Sequence, residues 1–362
     1  MKYALILALI ITAAPAAALE TQSGTVTVTP VATGLDQPWG VAALPDGSLL
    51  VTERDGALMY FRDGAASSVS GVPKVRARGQ GGLLDITLAR DFATTRTLFL
   101  TYSKRQGRGA GTALAAAELS ADGRRLDNLR DLFVSAPGGM GGLQFGSRVV
   151  EARDGTLFVT IGDRGDGPSA QDRALHNGSV IRVNRDGTVP ADNPFVGQAG
   201  VLPEIWSYGH RNPQGADLDA SGTLWTVEHG ARGGDEVNRI LKGANFGWPV
   251  ISYGVHYSGK KIGEGTSRPG MEQPAYYWDP SIAPSGLLVY QGDMFPEWKG
   301  DMFVGSLKFD YISRLEMSGD NAREVEQIAS DETMRVRDIV EDTDGSILFI
   351  SVGNGAVYRM TR

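Results

Sequence analysis

The sequence predicts an all-β fold, a six-bladed β-propeller, on three observations. Glycine supplies 48 of the 362 residues and lies along the whole chain without a collagen period, at roughly twice its usual frequency. Apolar and polar residues alternate with the two-residue period of strands, whereas long helical patterns are scarce. A strand–turn–strand unit recurs at irregular multiples of roughly 50 residues without intervening helices, which favours a propeller over a doubly wound sheet.

Four segments show this unit most clearly. Each has a strand, a tight turn of the Asp-Gly or Ser-Gly type, a second strand and a glycine-rich exit; they cover residues 38–56, 147–167, 211–230 and 336–355. Blades of about 40 to 60 residues give six blades for a mature chain of about 340 residues. Seven blades and a pair of β-sandwiches are the alternatives. No linker rich in Pro or Ser divides the chain, so we expect one domain over residues 19–362.

The first eighteen residues resemble a secretory signal peptide. Lys2 supplies a charged start, residues 4–14 form an apolar stretch too short to span a bilayer, and Ala16 to Ala18 offer a small-residue cleavage site. We therefore expect residues 1–18 to be removed and the mature protein to be periplasmic. The chain has no cysteine, so its stability in an oxidising compartment comes from its core rather than from disulfides.

Charge and motif content exclude several function classes. The net charge is −7, from 35 basic and 42 acidic residues, which argues against a nucleic-acid partner because a basic surface supplies most of that affinity. The sequence contains no H-E-x-x-H, P-loop or G-x-S-x-G motif, and it lacks cysteine for a thiolate metal site. We expect a monomer without a membrane span.

The repeat geometry predicts that polar residues converge on one face. In an antiparallel hairpin the start of the first strand and the end of the second lie together, so Gln144 should face Asp163 across the Asp154-Gly155 turn. The same reasoning brings together four cations, which are Arg211, Lys308, Arg335 and Arg337. Guanidinium groups bind carboxylate or phosphate in a bidentate manner, so the set indicates a small polyanionic ligand. The alternative is local pairing, such as Arg337 with Asp338.

Several motifs resemble those of one known family. The chain is similar to the soluble aldose sugar dehydrogenases, six-bladed quinoproteins that use pyrroloquinoline quinone (PQQ) and calcium. The motifs that carry the resemblance, in the family's order over most of the mature chain, are GQGGLLDITLARDF (79–92), FGSRVV (145–150), SYGHRNPQG (207–215), EHGARGGDEVN (228–238), GANFGWP (243–249) and RVRD (335–338).

The resemblance implies a role for each matching residue. Arg211 and Asn212 would contact the quinone carbonyl region, with His229 beside the cofactor. Lys308, Arg335 and Arg337 would hold the PQQ carboxylates. Gln80 would lie near the reaction centre, Asp163 would orient the catalytic base, and Gln144 would occupy the position of that base.

The resemblance also implies a metal. The main-chain oxygens of Gly230 and Ala231 would bind a calcium that also contacts PQQ, although the family usually has proline at the second position. Asp235 and Glu236, or the acidic loop 163–167, are candidates for a further, structural calcium.

The sequence departs from the family at the base. FGSR is preceded in the family by a histidine that takes the proton of the sugar's anomeric hydroxyl, and here that residue is Gln144, whose amide cannot hold a proton near neutral pH. Three interpretations stay open: Asp163 acts directly or through a water, His229 substitutes for the base, or the protein binds the cofactor without efficient turnover.

Two function classes therefore stand side by side. The first is an enzyme that oxidises aldoses at C1 to lactones and passes two electrons to an unidentified acceptor. The second is a non-catalytic or weakly active propeller that binds PQQ, a sugar or a protein partner. A calcium-dependent lactonase is a weaker third, since it would not need the cations at Lys308, Arg335 and Arg337.

Overall fold

The computed structural model describes residues 16–362. Residues 1–15, on which most of the predicted signal peptide falls, lie outside the described residues. Within 16–362 the strands form six antiparallel sheets arranged as the blades of a propeller, which confirms the predicted fold class. No helix in this part of the chain has the length and apolar character to cross a bilayer.

The strands follow one another blade by blade. The described residues begin with β1 (Ala17–Thr21) and β2 (Gly24–Thr33). The first blade contains β3 (Pro38–Ala43), β4 (Leu49–Glu53), β5 (Leu58–Arg62) and β6 (Ala65–Ser68). The second contains β7 (Leu83–Leu88), β8 (Thr97–Gln106), β9 (Gly109–Leu119) and β10 (Leu126–Val134). The third contains β11 (Val149–Glu151), β12 (Leu157–Ile161), β13 (Ser179–Val183) and β14 (Ile205–Tyr208).

The second half repeats the plan. The fourth blade contains β15 (Pro213–Leu218), β16 (Leu224–Glu228), β17 (Asp235–Arg239) and β18 (Tyr276–Trp278). The fifth contains β19 (Pro284–Val289), β20 (Met302–Ser306), β21 (Tyr311–Ser318) and β22 (Asn321–Ala329). The sixth contains β23 (Val336–Glu341), β24 (Ile347–Ser351) and β25 (Ala356–Thr361). The helical pieces of the described chain are α1 (Phe92–Thr95) and the 3-10 helices Gly167–Gln171, Pro296–Trp298 and Asp331–Thr333.

The two ends of the chain close the ring together. The N-terminal strand β2 pairs with β25, with Val28 opposite Met360, so the sixth blade has five strands in the order β1-β2-β25-β24-β23. Ala17 and Ala18 already belong to β1 and pair with β2. Cleavage after residue 18 would therefore shorten this edge strand and leave the β2–β25 pairing intact.

The Asp-Gly turns that marked the repeat share one local cause. In the turns at Asp46, Asp154 and Asp344, the Asp Oδ1 accepts hydrogen bonds from the N–H and the hydroxyl of the Ser or Thr two residues later. The glycine between them has a φ of 81° or 82°, a left-handed conformation that glycine adopts without steric cost. Each turn thus fixes the hairpin of a blade's two inner strands.

Aspartate carboxylates connect neighbouring blades at every second blade interface around the channel. Asp85 and Asp338 lie at the bulges of β7 and β23, whereas Asp217 lies further along β15, and each accepts the N–H of a valine in the first strand of the next blade. The three acceptor–donor pairs are Asp85 with Val149 at 2.8 Å, Asp217 with Val289 at 2.8 Å and Asp338 with Val41 at 3.0 Å.

Arg148 fills the channel between two of these carboxylates. Its Nη1 lies 2.8 Å from an Asp85 oxygen and 2.7 Å from an Asp338 oxygen, with all three side chains almost fully buried. Because a buried charge needs a partner and hydrogen bonds to be tolerated, this triad is a satisfied structural unit. It closes the channel beneath the candidate site.

Candidate functional site

A cavity of about 1000 Å³ opens at one end of the channel. Its wall contains five cationic side chains, which belong to Arg54, Arg232, Lys308, Arg335 and Arg337, and one carboxylate, that of Asp279. Within residues 16–362 none of the five cations has a carboxylate oxygen within 4.0 Å, whereas Arg148 just below them has two. The cavity therefore carries a net positive charge that the protein itself does not neutralise.

Arg337 is the most enclosed of these cations. Its Nη1 donates a hydrogen bond to Gln214 Oε1 at 2.9 Å, and the predicted alternative of local pairing with Asp338 is wrong, because the Asp338 carboxylate contacts Arg148. Burial lowers the pKa of Arg337 to about 9, and the charges of Arg148 and Arg335 add to this effect. An anion in the cavity would relieve this electrostatic cost.

Lys308 and Arg335 bind only neutral acceptors. Lys308 Nζ donates to the Ser281 carbonyl at 3.1 Å, and Arg335 Nη1 donates to the Leu307 carbonyl at 3.1 Å. The Arg335 backbone has a φ of 57° and is held by a hydrogen bond from its N–H to Asp310 Oδ1 at 2.8 Å. These contacts fix the direction of both side chains and leave their charges available to a ligand.

Gln144 lies beside the cavity, between wall residues. Its N–H donates to the side-chain Oε1 of Gln80 at 2.6 Å, and both Gln80 and Phe145 line the cavity. Its own Oε1 is buried and has no hydrogen-bond partner in the described protein. A buried acceptor without a partner costs roughly 1–3 kcal/mol, so the Gln144 side-chain oxygen is an unsatisfied acceptor among the described residues.

The predicted cross-strand pairing of Gln144 with Asp163 does not form. The paired part of β11 begins only at Val149, and Gln144 has a left-handed backbone with a φ of 51°. The main-chain carbonyl of Gln144 packs instead against Gly162, where an added Cβ would lie 2.2 Å from that oxygen. The first paired strand of this blade therefore begins only after Gln144.

Asp163 is fully buried and has both oxygens engaged. Its Oδ1 accepts the Gly165 N–H at 2.8 Å, and its Oδ2 accepts the indole Nε1–H of Trp248 at 2.8 Å. Burial raises the pKa of Asp163, opposed by these two hydrogen bonds. The carboxylate does not line the cavity. It anchors Trp248 and the loop that follows β12.

Arg211 contacts the chain segment that forms another side of the cavity. Its Nη1 donates to the carbonyls of His229 at 3.2 Å and Gly230 at 2.5 Å, and its guanidinium lies 5.3 Å from the Trp248 ring centroid. Arg211 does not line the main cavity but borders a smaller pocket behind it. Arg211 therefore supports the segment that contains His229 and Gly230 from outside the cavity.

His229 and Asn212 do reach the cavity. The Nε2 atom of His229 is buried without a hydrogen-bond partner among residues 16–362. Burial, together with the charges of Arg211 and Arg337, lowers the pKa of His229 to about 3, so the imidazole is neutral at physiological pH. Asn212 Oδ1 accepts the Gly146 N–H at 3.1 Å and connects the third and fourth blades at the cavity wall.

The predicted calcium ligands do not form one complete set. Gly230 and Ala231 line the cavity, but Glu236 lies in the smaller pocket behind it. Within residues 16–362 no group of three or more His, Asp or Glu side chains is arranged to hold a metal. Two carbonyls supply only part of the six to eight oxygen ligands that calcium takes. A calcium in the cavity would thus need oxygens from a bound ligand.

Glu236 instead belongs to a carboxylate pair. It lies opposite Glu228 in the β16–β17 register, and Asn238 Nδ2 donates to Glu228 Oε1 at 2.8 Å and to Glu236 Oε2 at 3.1 Å. Burial raises the pKa of Glu236 to about 8, with the charge of Glu228 as the next cause. Glu228 also accepts from His210 Nδ1 and from the Arg211 N–H, at 2.9 Å and 2.7 Å.

Comparison with known proteins decides the family. The sequence profile of the Glucose / Sorbosone dehydrogenase family matches residues 35–359. The chain belongs to this family. Within the glucose/sorbosone dehydrogenase family it is 41% identical to the aldose sugar dehydrogenase YliI of Escherichia coli, over 92% of each chain.

Solved structures of glucose/sorbosone dehydrogenases share its fold. The apo form of the soluble aldose sugar dehydrogenase of Escherichia coli superposes with a TM-score of 0.89 at 40% identity, over 93% of this chain and 99% of that one. The PQQ-bound form of the aldose sugar dehydrogenase of Streptomyces coelicolor superposes with a TM-score of 0.78 at 25% identity, over 93% of this chain and 98% of that one.

Most of the residues selected from the sequence meet in the cavity of this family member. The predicted residues that line it are Gln80, Asn212, His229, Gly230, Ala231, Lys308, Arg335 and Arg337, whereas Gln144, Asp163, Arg211 and Glu236 lie just outside its wall. Sequence reasoning missed Trp39, Arg54, Gln214 and Asp279. Trp39 and Arg54 occupy the start and the exit of the first recognised hairpin. The same positions of the other hairpins supply predicted site residues, so the repeat could have been used to find these two.

Proposed function

We propose that this protein is a PQQ-dependent dehydrogenase that oxidises aldose sugars at C1 to lactones. The observation that carries the proposal is the group of unpaired cations, Lys308, Arg335 and Arg337, in a cavity of about 1000 Å³. PQQ is a flat tricarboxylate, and guanidinium and ammonium groups are the usual protein partners of carboxylates. Family membership supplies the expected reaction class.

The residues present fit such a cofactor. Lys308, Arg335 and Arg337 would hold its carboxylates, because their charges lack protein counterions and their backbones are fixed. Asn212 and His229 would face it from another side of the cavity. When bound, PQQ accepts the two electrons of the sugar as a hydride equivalent. Arg211 would act by holding the carbonyls of His229 and Gly230 in place.

Calcium would bind at the main-chain oxygens of Gly230 and Ala231, together with oxygens of the cofactor. The Gly230 carbonyl accepts from Arg211 in the present structure, so a metal there would share or replace that contact. Glu236 is proposed only for a separate, structural metal behind the cavity.

Among residues 16–362 we find no strong acceptor for the proton of the anomeric hydroxyl. Gln144 is an amide, and the Asp163 oxygens are occupied by Trp248 and Gly165. His229 Nε2 is free and lines the cavity, but its lowered pKa makes it a weak base. We therefore propose slow turnover, with Gln80 and Gln144 orienting the sugar rather than taking its proton.

The second candidate is a PQQ- or sugar-binding propeller with little or no catalysis. Gln144 is the observation that favours it, since a positioned base commonly contributes about 10²- to 10⁴-fold to rate. On either proposal we place the mature protein in the periplasm. If the protein is an enzyme, it would pass its electrons to an acceptor that is not yet identified. We also expect it to be a monomer.

Reconstitution separates the two candidates. Protein purified without its first 18 residues is titrated with PQQ and calcium, and binding is followed by visible absorption. Glucose is then added with an artificial acceptor. Saturable PQQ binding followed by slow sugar-dependent reduction supports the dehydrogenase. Binding without reduction supports the second candidate, and failure to bind PQQ contradicts both.

A further inference from the structure

An aromatic groove adjoins the cavity between the outer strands of the fourth and fifth blades. It encloses about 1180 Å³, and Tyr253, Asp279 and Pro280 belong to the walls of both the groove and the cavity. The far wall includes Gln327 and Ala329 of β22. A ligand that protrudes from the cavity on this side would therefore enter the groove.

The groove exposes flat aromatic surface. Tyr277 is 44% exposed and Phe309 is 45% exposed, although both are large rings. Tyr277 stacks on Tyr253 with ring centroids 4.0 Å apart and planes 21° apart, which extends the platform to the cavity wall. The third exposed aromatic side chain of the described residues is Tyr257, which lines the cavity. Exposed rings are thus confined to this one surface.

Fixed polar groups accompany the rings. The Glu324 carboxylate accepts from Ser313 Oγ at 2.6 Å and from the indole Nε1–H of Trp278 at 3.3 Å, which holds it at the groove wall. Among the described residues, no lysine or arginine lines the groove, in contrast to the five cations of the cavity. The groove consequently does not select an anion.

These properties fit a neutral sugar chain. A pyranose ring presents C–H faces that pack on aromatic planes and hydroxyl edges that bond to carboxylate and amide oxygens, and binding sites combine such apolar surface with a few placed polar groups. An anionic ligand would find no counterion among these wall residues, and a purely apolar one would bury the Glu324 and Asp279 carboxylates without a counter-charge.

We infer that the groove binds the outer sugar units of an oligosaccharide whose reducing-end unit occupies the cavity. This inference rests on the proposed function, because oxidation at C1 concerns only the reducing end and leaves the glycosidic chain to lie outside the cavity. The preferred substrate class would then be reducing oligosaccharides rather than free monosaccharides.

Binding is tested with sugars that cannot react. Methyl maltotrioside and methyl cellotrioside have a blocked anomeric hydroxyl, and they are titrated against the PQQ- and calcium-treated protein by calorimetry, with methyl glucoside as the short reference. At least one trioside should bind about three- to ten-fold more tightly than methyl glucoside, the range expected for one aromatic platform. Tyr277→Ala should remove this difference.

Two further variants give the test its controls. Ala329→Arg, which fills the groove from β22 without deleting a contact, should have the same effect as Tyr277→Ala. Leu129→Ala changes a side chain that is 37% exposed on β10 and lines neither space, and it should leave the preference intact. Thermal unfolding of each variant shows that it is folded.

The kinetic readout separates this inference from the proposed function. For reducing sugars, the ratio of kcat/KM for maltotriose or cellotriose to that for glucose should fall in Tyr277→Ala and Ala329→Arg but not in Leu129→Ala. If glucose is oxidised and neither trioside is preferred, the groove inference is overturned while the dehydrogenase stands. If no sugar is oxidised but a trioside binds more tightly than methyl glucoside and Tyr277→Ala removes that difference, the groove inference stands and the proposed reaction fails.

Discussion

Replacing Arg337 with methionine should raise the free energy of unfolding of the ligand-free protein and weaken its binding of PQQ. The variant keeps the length of the side chain and removes a charge that has no carboxylate partner. A pKa lowered from 12.5 to about 9 corresponds to roughly 4–5 kcal/mol against the charged form. Solvent reaches the guanidinium through the cavity, so we expect about half of this, about 2 kcal/mol, to appear as stability.

One smaller effect acts against this gain in stability. Gln214 Oε1 loses its donor, which costs about 1 kcal/mol, so the net gain in free energy of unfolding should be about 1 kcal/mol. PQQ binding should weaken by about 1.5–3 kcal/mol, the scale of a charge-assisted hydrogen bond, or about 10- to 150-fold in Kd. Arg335→Met should weaken binding by a similar amount.

Urea unfolding without cofactor and PQQ titration by absorption measure the two quantities. The matched control is Arg314→Met, because Arg314 is also buried but contacts Asp301 at 2.6 Å and Glu326 at 2.9 Å. That variant should lose about 3–5 kcal/mol of stability without a change in PQQ affinity per folded molecule. The reasoning is refuted if Arg337→Met loses as much stability as Arg314→Met, or if it binds PQQ as tightly as the native protein.

Two further predictions concern buried carboxylates. Asp163→Asn should lower the free energy of unfolding by about 1–3 kcal/mol, because one amide oxygen cannot accept from both Trp248 and Gly165; an unchanged urea midpoint would show that the carboxylate is not an anchor. Asp217 has its pKa raised to about 7 by burial, against about 3.9 in the unfolded chain. Its contribution to stability should be fully present below about pH 4 and should decline by about 2–4 kcal/mol as pH rises to about 7. Relative to the native protein, Asp217→Asn should therefore become more stable over this window, and a pH-independent difference would contradict the assignment.

The inner strands of the blades were predictable because their signal is local. The four recognised segments contain the two inner strands of the first, third, fourth and sixth blades, each joined by a turn whose hydrogen bonds lie within a few residues. Ring closure was not predictable in the same way. The pairing of Val28 with Met360 joins residues more than 300 positions apart, and no turn chemistry specifies it.

The candidate site was predictable to the extent that it follows the repeat. Hairpin geometry brought Arg335, Arg337 and Asn212 to one cavity, because the ends of inner strands must meet at the channel. It failed for Gln144, which lies beyond the paired strand in a left-handed conformation. It could not foresee the bond between Asp163 and Trp248, because the two residues are 85 positions apart and meet only through blade packing.

The role of Gln144 decides whether the proposed reaction centre is correct, and single-turnover kinetics test that role directly. The native protein and Gln144→His are loaded with PQQ and calcium and mixed with excess glucose, and the absorption change of the cofactor is timed. We predict equal PQQ loading and a rate about 10²- to 10⁴-fold higher in Gln144→His, with Gln144→Asn as the slow control that lacks a titratable group. A native protein that already reacts rapidly and gains nothing from the histidine would contradict the assignment of the reaction centre.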